Sequence, residues 1–140
     1  MNGWIGWQIQ DEDLFDAADA ISSDACGLGY VASKIIDAYP LAFVENALLI
    51  DRMYLVPKWR GHRLSNHIIN DLLGLLRLDP DSTVVVLQPE PQRSEGGPYR
   101  ENQERERAMS KLQSAYRESG LVPWKDSDMW WLKFAANDEA

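Results

Sequence analysis

The stretch Ala47-Leu48-Leu49-Ile50-Asp51-Arg52-Met53-Tyr54-Leu55-Val56-Pro57-Lys58-Trp59-Arg60-Gly61-His62-Arg63-Leu64-Ser65 changes character twice. Ala47–Val56 has strand composition, with Leu48, Ile50, Arg52 and Tyr54 pointing one way and Leu49, Asp51, Met53 and Leu55 the other. Pro57–Arg63 is a short loop. Leu64–Arg77 then places Leu64, Ile68, Leu72 and Leu75/Leu76 on one helical stripe, and Asp79-Pro80 ends it. Thr83–Gln88, Thr-Val-Val-Val-Leu-Gln, is a β-branched run of the kind found in buried parallel strands. Strand, crossover helix and strand in this order make a βαβ unit, right-handed by default, so the fold class is α/β.

The loop inside this unit carries the chemistry. The first turn of a helix leaves backbone N–H groups without partners and with positive polarity, which suits a phosphate or pyrophosphate. Gly61 lets a ligand approach the backbone closely. Lys58, Arg60 and Arg63 cluster in a chain whose net charge is −8, so the local sign opposes the global one. An ordinary βα turn with solvated cations would show the same residues. The stretch has neither the Gly-x-x-x-x-Gly-Lys-Ser/Thr of a P-loop nor Gly-x-Gly-x-x-Gly.

Outward from the unit, Trp4–Gln10 alternates as a short strand. Asp11–Ile21 has Leu14, Phe15, Ala18 and Ile21 at helical spacing. Ser22 or Ser23 caps a second helix, interrupted at Gly27 and Gly29, resuming over Tyr30–Ala38 and stopped by Tyr39-Pro40. Pro89–Arg100 is a Pro- and Gly-rich loop with the length of a flap. Glu101–Ser119 reads as a helix with Ala108, Leu112, Ala115 and Tyr116 on one side and Gly120 as its stop. Leu121–Trp124 and Met129–Phe134 read as strands around Lys125-Asp126-Ser127-Asp128.

A chain of 140 residues with 45% apolar and 26% charged residues suits one globular domain with one core. The charge of −8 disfavours nucleic-acid binding and suits either solubility or a cationic partner. Cys26 is the only cysteine; without a basic neighbour it reads as a buried or inert thiol and fits a reducing cytoplasm. No segment has the length of a membrane span, the start lacks the pattern of a secretion signal, and His62, His67 and Cys26 form no metal pattern. Of Trp130-Trp131, one belongs to the core; the other is surface, cleft lining or dimer interface.

The segment Leu48–Leu73 resembles the core motif of the GNAT acetyltransferase superfamily: a strand ending in Val/Leu-x-Pro-x-aromatic-Arg-Gly, a glycine-bearing loop, and an amphipathic helix. Lys111–Leu121 resembles the family's later helix, x-Leu-x-x-x-Tyr-x-x-x-Gly-Phe, with the valine-rich strand between the two. The family's two loop glycines stand here as Arg63 and Ser65. The resemblance implies a mixed central sheet flanked by helices, with a reduced N-terminal half. It implies acetyl-CoA as cosubstrate and an amine acceptor. Backbone groups at Leu55 and Val56 would hold the pantetheine arm, and Arg60, Gly61, His62, Arg63, Leu64 and Ser65 the pyrophosphate. Tyr116 stands where the family commonly protonates the departing thiolate, and it equally suits a core aromatic. Asp51 would serve as a base through water, or as an ion-paired strand carboxylate. Arg105, Arg107 and Lys111 read as a solvated helix face with Glu104 and Glu106. A non-catalytic domain that binds CoA or a protein partner is the alternative.

Overall fold

The computed structural model describes residues 2–6, 17–18, 21–40, 42–52, 65–91, 100, 102–118, 120–125 and 127–132. Among these residues the order is β1 (Asn2–Gly6), α1 (Ser23–Ala38), β2 (Asn46–Arg52), α2 (Ser65–Leu75), β3 (Thr83–Leu87), α3 (Gln103–Glu118), β4 (Leu121–Pro123) and β5 (Trp130–Leu132). The strands form one mixed sheet in the order β1-β2-β3-β5-β4, with β2 and β3 parallel and every other pair antiparallel. The expected strand–helix–strand unit is therefore present, as β2–α2–β3. Most of the expected Asp11–Ile21 helix, Met53–Leu64 and Lys133–Phe134 lie outside the described residues; Ala17 and Ala18 are helical.

Each face of the sheet buries its own apolar cluster. On one face α1 lays Leu28, Val31, Ala32 and Ile35 over Ala47, Leu49, Val84, Val86 and Trp131. These four helix residues follow the i, i+3, i+4, i+7 pattern, and each buried Leu, Ile or Val is worth roughly 1.5–3 kcal/mol. On the other face α2 and α3 supply Ile69, Leu73 and Tyr116 over Leu48, Ile50, Val85, Leu87 and Trp130. β3 is buried at every residue because both its faces are covered, which is why its β-branched run is continuous rather than alternating. The expected single core is thus divided by the sheet. Trp130 and Trp131 are 3% and 2% exposed, one in each cluster, so both are core and neither lines a cleft or an interface.

α1 is continuous, against the expected break at Gly27 and Gly29. Ser22, extended at φ −168°, caps it by accepting the Ala25 N–H at 3.1 Å, and Asp24 complements the positive end. A Cβ on Gly27 would stand 3.4 Å from the Met129 methyl, an ordinary contact with a flexible side chain. Packing of the α1 face on the sheet outweighs the modest helix penalty of glycine. Cys26, expected to be buried or inert, is half-exposed on this helix.

α2 ends in a Schellman motif. Leu78 N–H bonds Leu73 C=O at 2.8 Å, Arg77 N–H bonds Gly74 C=O at 3.1 Å, and the side chains of Leu73 and Leu78 are both buried. The left-handed residue of the motif is Arg77, at φ 57°, where glycine is usual. Arg77→Gly is expected to stabilise the fold by about 0.5–1 kcal/mol, relief of the left-handed backbone outweighing the looser unfolded chain. A higher urea midpoint at unchanged slope would show it. α3 stops as expected at Gly120, whose φ is +90° and whose N–H reaches Arg117 C=O at 3.1 Å.

Candidate functional site

In open α/β sheets the carboxyl end of the parallel strands is the usual place for a ligand. Here that end belongs to β2 and β3. Their register pairs run from Asn46↔Thr83 to Ile50↔Leu87, followed by a bond from Gln88 N–H to Ile50 C=O at 3.0 Å. β2 continues to Arg52 along β1. β3 gives way to Pro89-Glu90-Pro91.

Asp51 sits at this end, 7% exposed. The β1–β2 register moves from Gly3↔Ile50 to Asn2↔Arg52, so Asp51 is the extra residue of a β-bulge. The simple alternation expected through β2 therefore stops at Ile50. The bulge lies against Gly3, where a Cβ would overlap the Leu49 carbonyl oxygen, so only glycine lets β1 approach β2 this closely. Bulges re-aim side chains. Gly3 precedes the strand expected over Trp4–Gln10, so the sequence reading missed this bulge.

Tyr116 is 1% exposed in the α2–α3 cluster. Its ring meets Trp130 edge-on, with centroids 6.3 Å apart, and Trp130 pairs with Leu87, the last residue of β3. Burial pushes the phenol well above the ordinary tyrosine range, because the phenolate would lose its water. The hydroxyl is therefore held protonated. Asp51 and Tyr116 both associate with the carboxyl-end residues, Asp51 by following Ile50 in sequence and Tyr116 by sharing a cluster with Ile50 and Leu87.

Of the residues expected to hold a pyrophosphate, Leu55, Val56, Arg60, Gly61, His62, Arg63 and Leu64 lie outside the described residues. Ser65 is the first residue of α2, so this helix starts directly after the cationic segment, as the sequence predicts. No family model, curated protein or solved structure matches the chain. Among the described residues no three His, Cys, Asp or Glu side chains group as a metal site, and no helix is long and apolar enough to cross a membrane.

Arg105 departs from the solvated helix face expected for it. Its Nη1 and Nη2 donate to Glu90 Oε1 and Oε2 at 2.7 and 3.2 Å, a bidentate pair with side chains 23% and 27% exposed. Local reading paired Arg105 with its neighbours Glu104 and Glu106, whereas the chain folds its partner in from across the Pro89–Arg100 loop.

Proposed function

We propose that this chain is a GNAT-type N-acetyltransferase that uses acetyl-CoA to acetylate an amine. The observation that carries the reading is the β2–α2–β3 unit, in which adjacent parallel strands flank a helix whose first turn directly follows Lys58, Arg60 and Arg63. The resemblance of Leu48–Leu73 and Lys111–Leu121 to the family's motifs adds the cosubstrate.

In the proposed reaction a neutral amine nitrogen attacks the thioester carbonyl carbon. The carbon–sulfur bond breaks, the acetyl group stays on nitrogen, and the thiolate leaves. One proton must go from the nitrogen to a base and one must reach the sulfur. Asp51, at the bulge, is the proposed base through water. Tyr116 is the proposed donor to sulfur, and burial keeps its phenol in the protonated form that role requires. N–H groups at the start of α2 would face the pyrophosphate.

The burial of Tyr116 favours a second reading, a GNAT-like domain that binds CoA without turnover. A thermal melt with increasing acetyl-CoA tests what the two readings share. At about a hundred times Kd, binding stabilises the fold by about 2.7 kcal/mol, enough to raise Tm by several degrees. An unchanged Tm at millimolar acetyl-CoA sinks both readings. A raised Tm without acetyl transfer to any of a panel of amines selects the second.

A further inference from the structure

Beyond the backbone bond from Gln88 to Ile50, a side-chain pair holds the chain that leaves β3. After Gln88 the chain runs Pro89-Glu90-Pro91, with both prolines buried and Glu90 between them. The Glu90 carboxylate takes both terminal nitrogens of Arg105. Arg105 is itself fixed, because its N–H bonds the Asn102 side-chain oxygen at 3.2 Å in the cap of α3. The pair thus ties the last turn of chain leaving β3 to the first turn of α3. Its planar two-bond fork fixes orientation as well as distance, unlike a single ion pair.

We propose that Glu90 and Arg105 form a positioning clasp for the carboxyl end of the β2–β3 pair, and that the clasp sets how tightly this end holds acetyl-CoA. The second half of the statement rests on the function proposed above. Glu90 stands two residues after Gln88, whose N–H bonds Ile50, the residue before the Asp51 bulge. Loss of the fork frees Pro89–Pro91 to move away from β2 while the rest of β3, buried on both faces, stays in register.

The test uses the full chain with Glu90→Gln, Arg105→Gln, and the exchanged pair Glu90→Arg with Arg105→Glu. Two quantities are read: amide hydrogen exchange by NMR, and acetyl-CoA affinity by calorimetry. Each single variant is expected to speed exchange of the Gln88 amide, and to weaken acetyl-CoA, by roughly 3- to 30-fold. The Val85 and Val86 amides should exchange as in the parent. The exchanged pair should recover part of both effects. Unchanged exchange at Gln88, or acceleration spread evenly along β3, overturns the clasp. A parent that binds acetyl-CoA with all variants binding equally well overturns its link to the ligand and leaves the proposed function standing. A parent that does not bind acetyl-CoA removes the proposed function and the link to the ligand together, and the exchange data then decide the clasp alone.

Discussion

Tyr116→Ala is expected to lower the unfolding free energy by about 3–5 kcal/mol, a large fraction of the stability of a domain this size. The ring is 1% exposed and joins α3 to Leu48, Ile50, Val85 and Leu87. Its removal leaves a cavity against the centre of the sheet and takes the edge-on partner from Trp130. Tyr116→Phe separates packing from chemistry, because the ring stays and only the hydroxyl goes. Stability at neutral pH should then change by less than about 1.5 kcal/mol. If the phenol protonates the leaving thiolate, kcat falls by roughly 10²-fold or more with little change in KM. A Tyr116→Phe protein that turns over within a few-fold of the parent removes the proton-donor role.

The same hydroxyl carries a pH dependence with a definite sign. Its folded pKa is raised by burial, so the folded state holds this proton more tightly than the unfolded chain does. The stabilisation is fully present below the ordinary tyrosine value of about 10 and is lost as pH rises above it. The slope from this one group approaches about 1.4 kcal/mol per pH unit. Urea unfolding on the alkaline side should show a steeper decline for the parent than for Tyr116→Phe. Equal slopes would mean that the phenol is not shielded from water as the structure shows it.

The elements that the sequence makes legible are those whose pattern is set by burial alone. Thr83–Leu87 reads as a central parallel strand because both faces are covered. The stripe expected through Leu72 and Leu75/Leu76 is only partly right: α2 turns Ile69 and Leu73 fully inward, Leu72 and Leu76 are partly buried, and Leu75 is 81% exposed. Features that depend on a distant partner are not legible. Gly27 reads as a helix break until Leu28, Val31, Ala32 and Ile35 are seen packed on the sheet. Asp51 reads as one more alternating residue until β1 is paired with it out of step. Arg105 reads as solvated beside Glu104 and Glu106 until Glu90 is brought to it by the return of β3. Trp130-Trp131 shows the reverse case. Alternation correctly assigns the two rings to opposite faces, but which faces are covered is decided by α1 on one side and α2 with α3 on the other. Of the surroundings of the candidate site, the structure shows the start of α2 and the end of the β2–β3 ladder. The cationic loop itself is read from sequence, because loop chemistry is written in residue type rather than in packing.

Arg60→Glu combined with Arg63→Glu is expected to weaken acetyl-CoA by about 10²–10⁴-fold. Each charge-assisted contact to a phosphate is worth on the order of 1.5–3 kcal/mol, and the two together about 3–6 kcal/mol. Reversal goes further than removal because a carboxylate repels the phosphates it replaces a contact to. The chain already carries a charge of −8, so a general loss of attraction for an anion must be separated from a local one. Lys34→Glu with Arg77→Glu supplies that control. Both residues are exposed, Lys34 on α1 and Arg77 at the far end of α2 from its start, and the pair changes the net charge by the same amount. A long-range field effect is screened within about 8–10 Å at physiological salt and would appear in both double variants. A contact effect appears only at Arg60 and Arg63, and survives in salt better than the control. Equal affinities for the parent and the Arg60/Arg63 variant, at unchanged thermal stability, would mean that the start of α2 does not hold the pyrophosphate. The proposed acetyl-CoA site would then lose the feature that places it at the carboxyl end of β2.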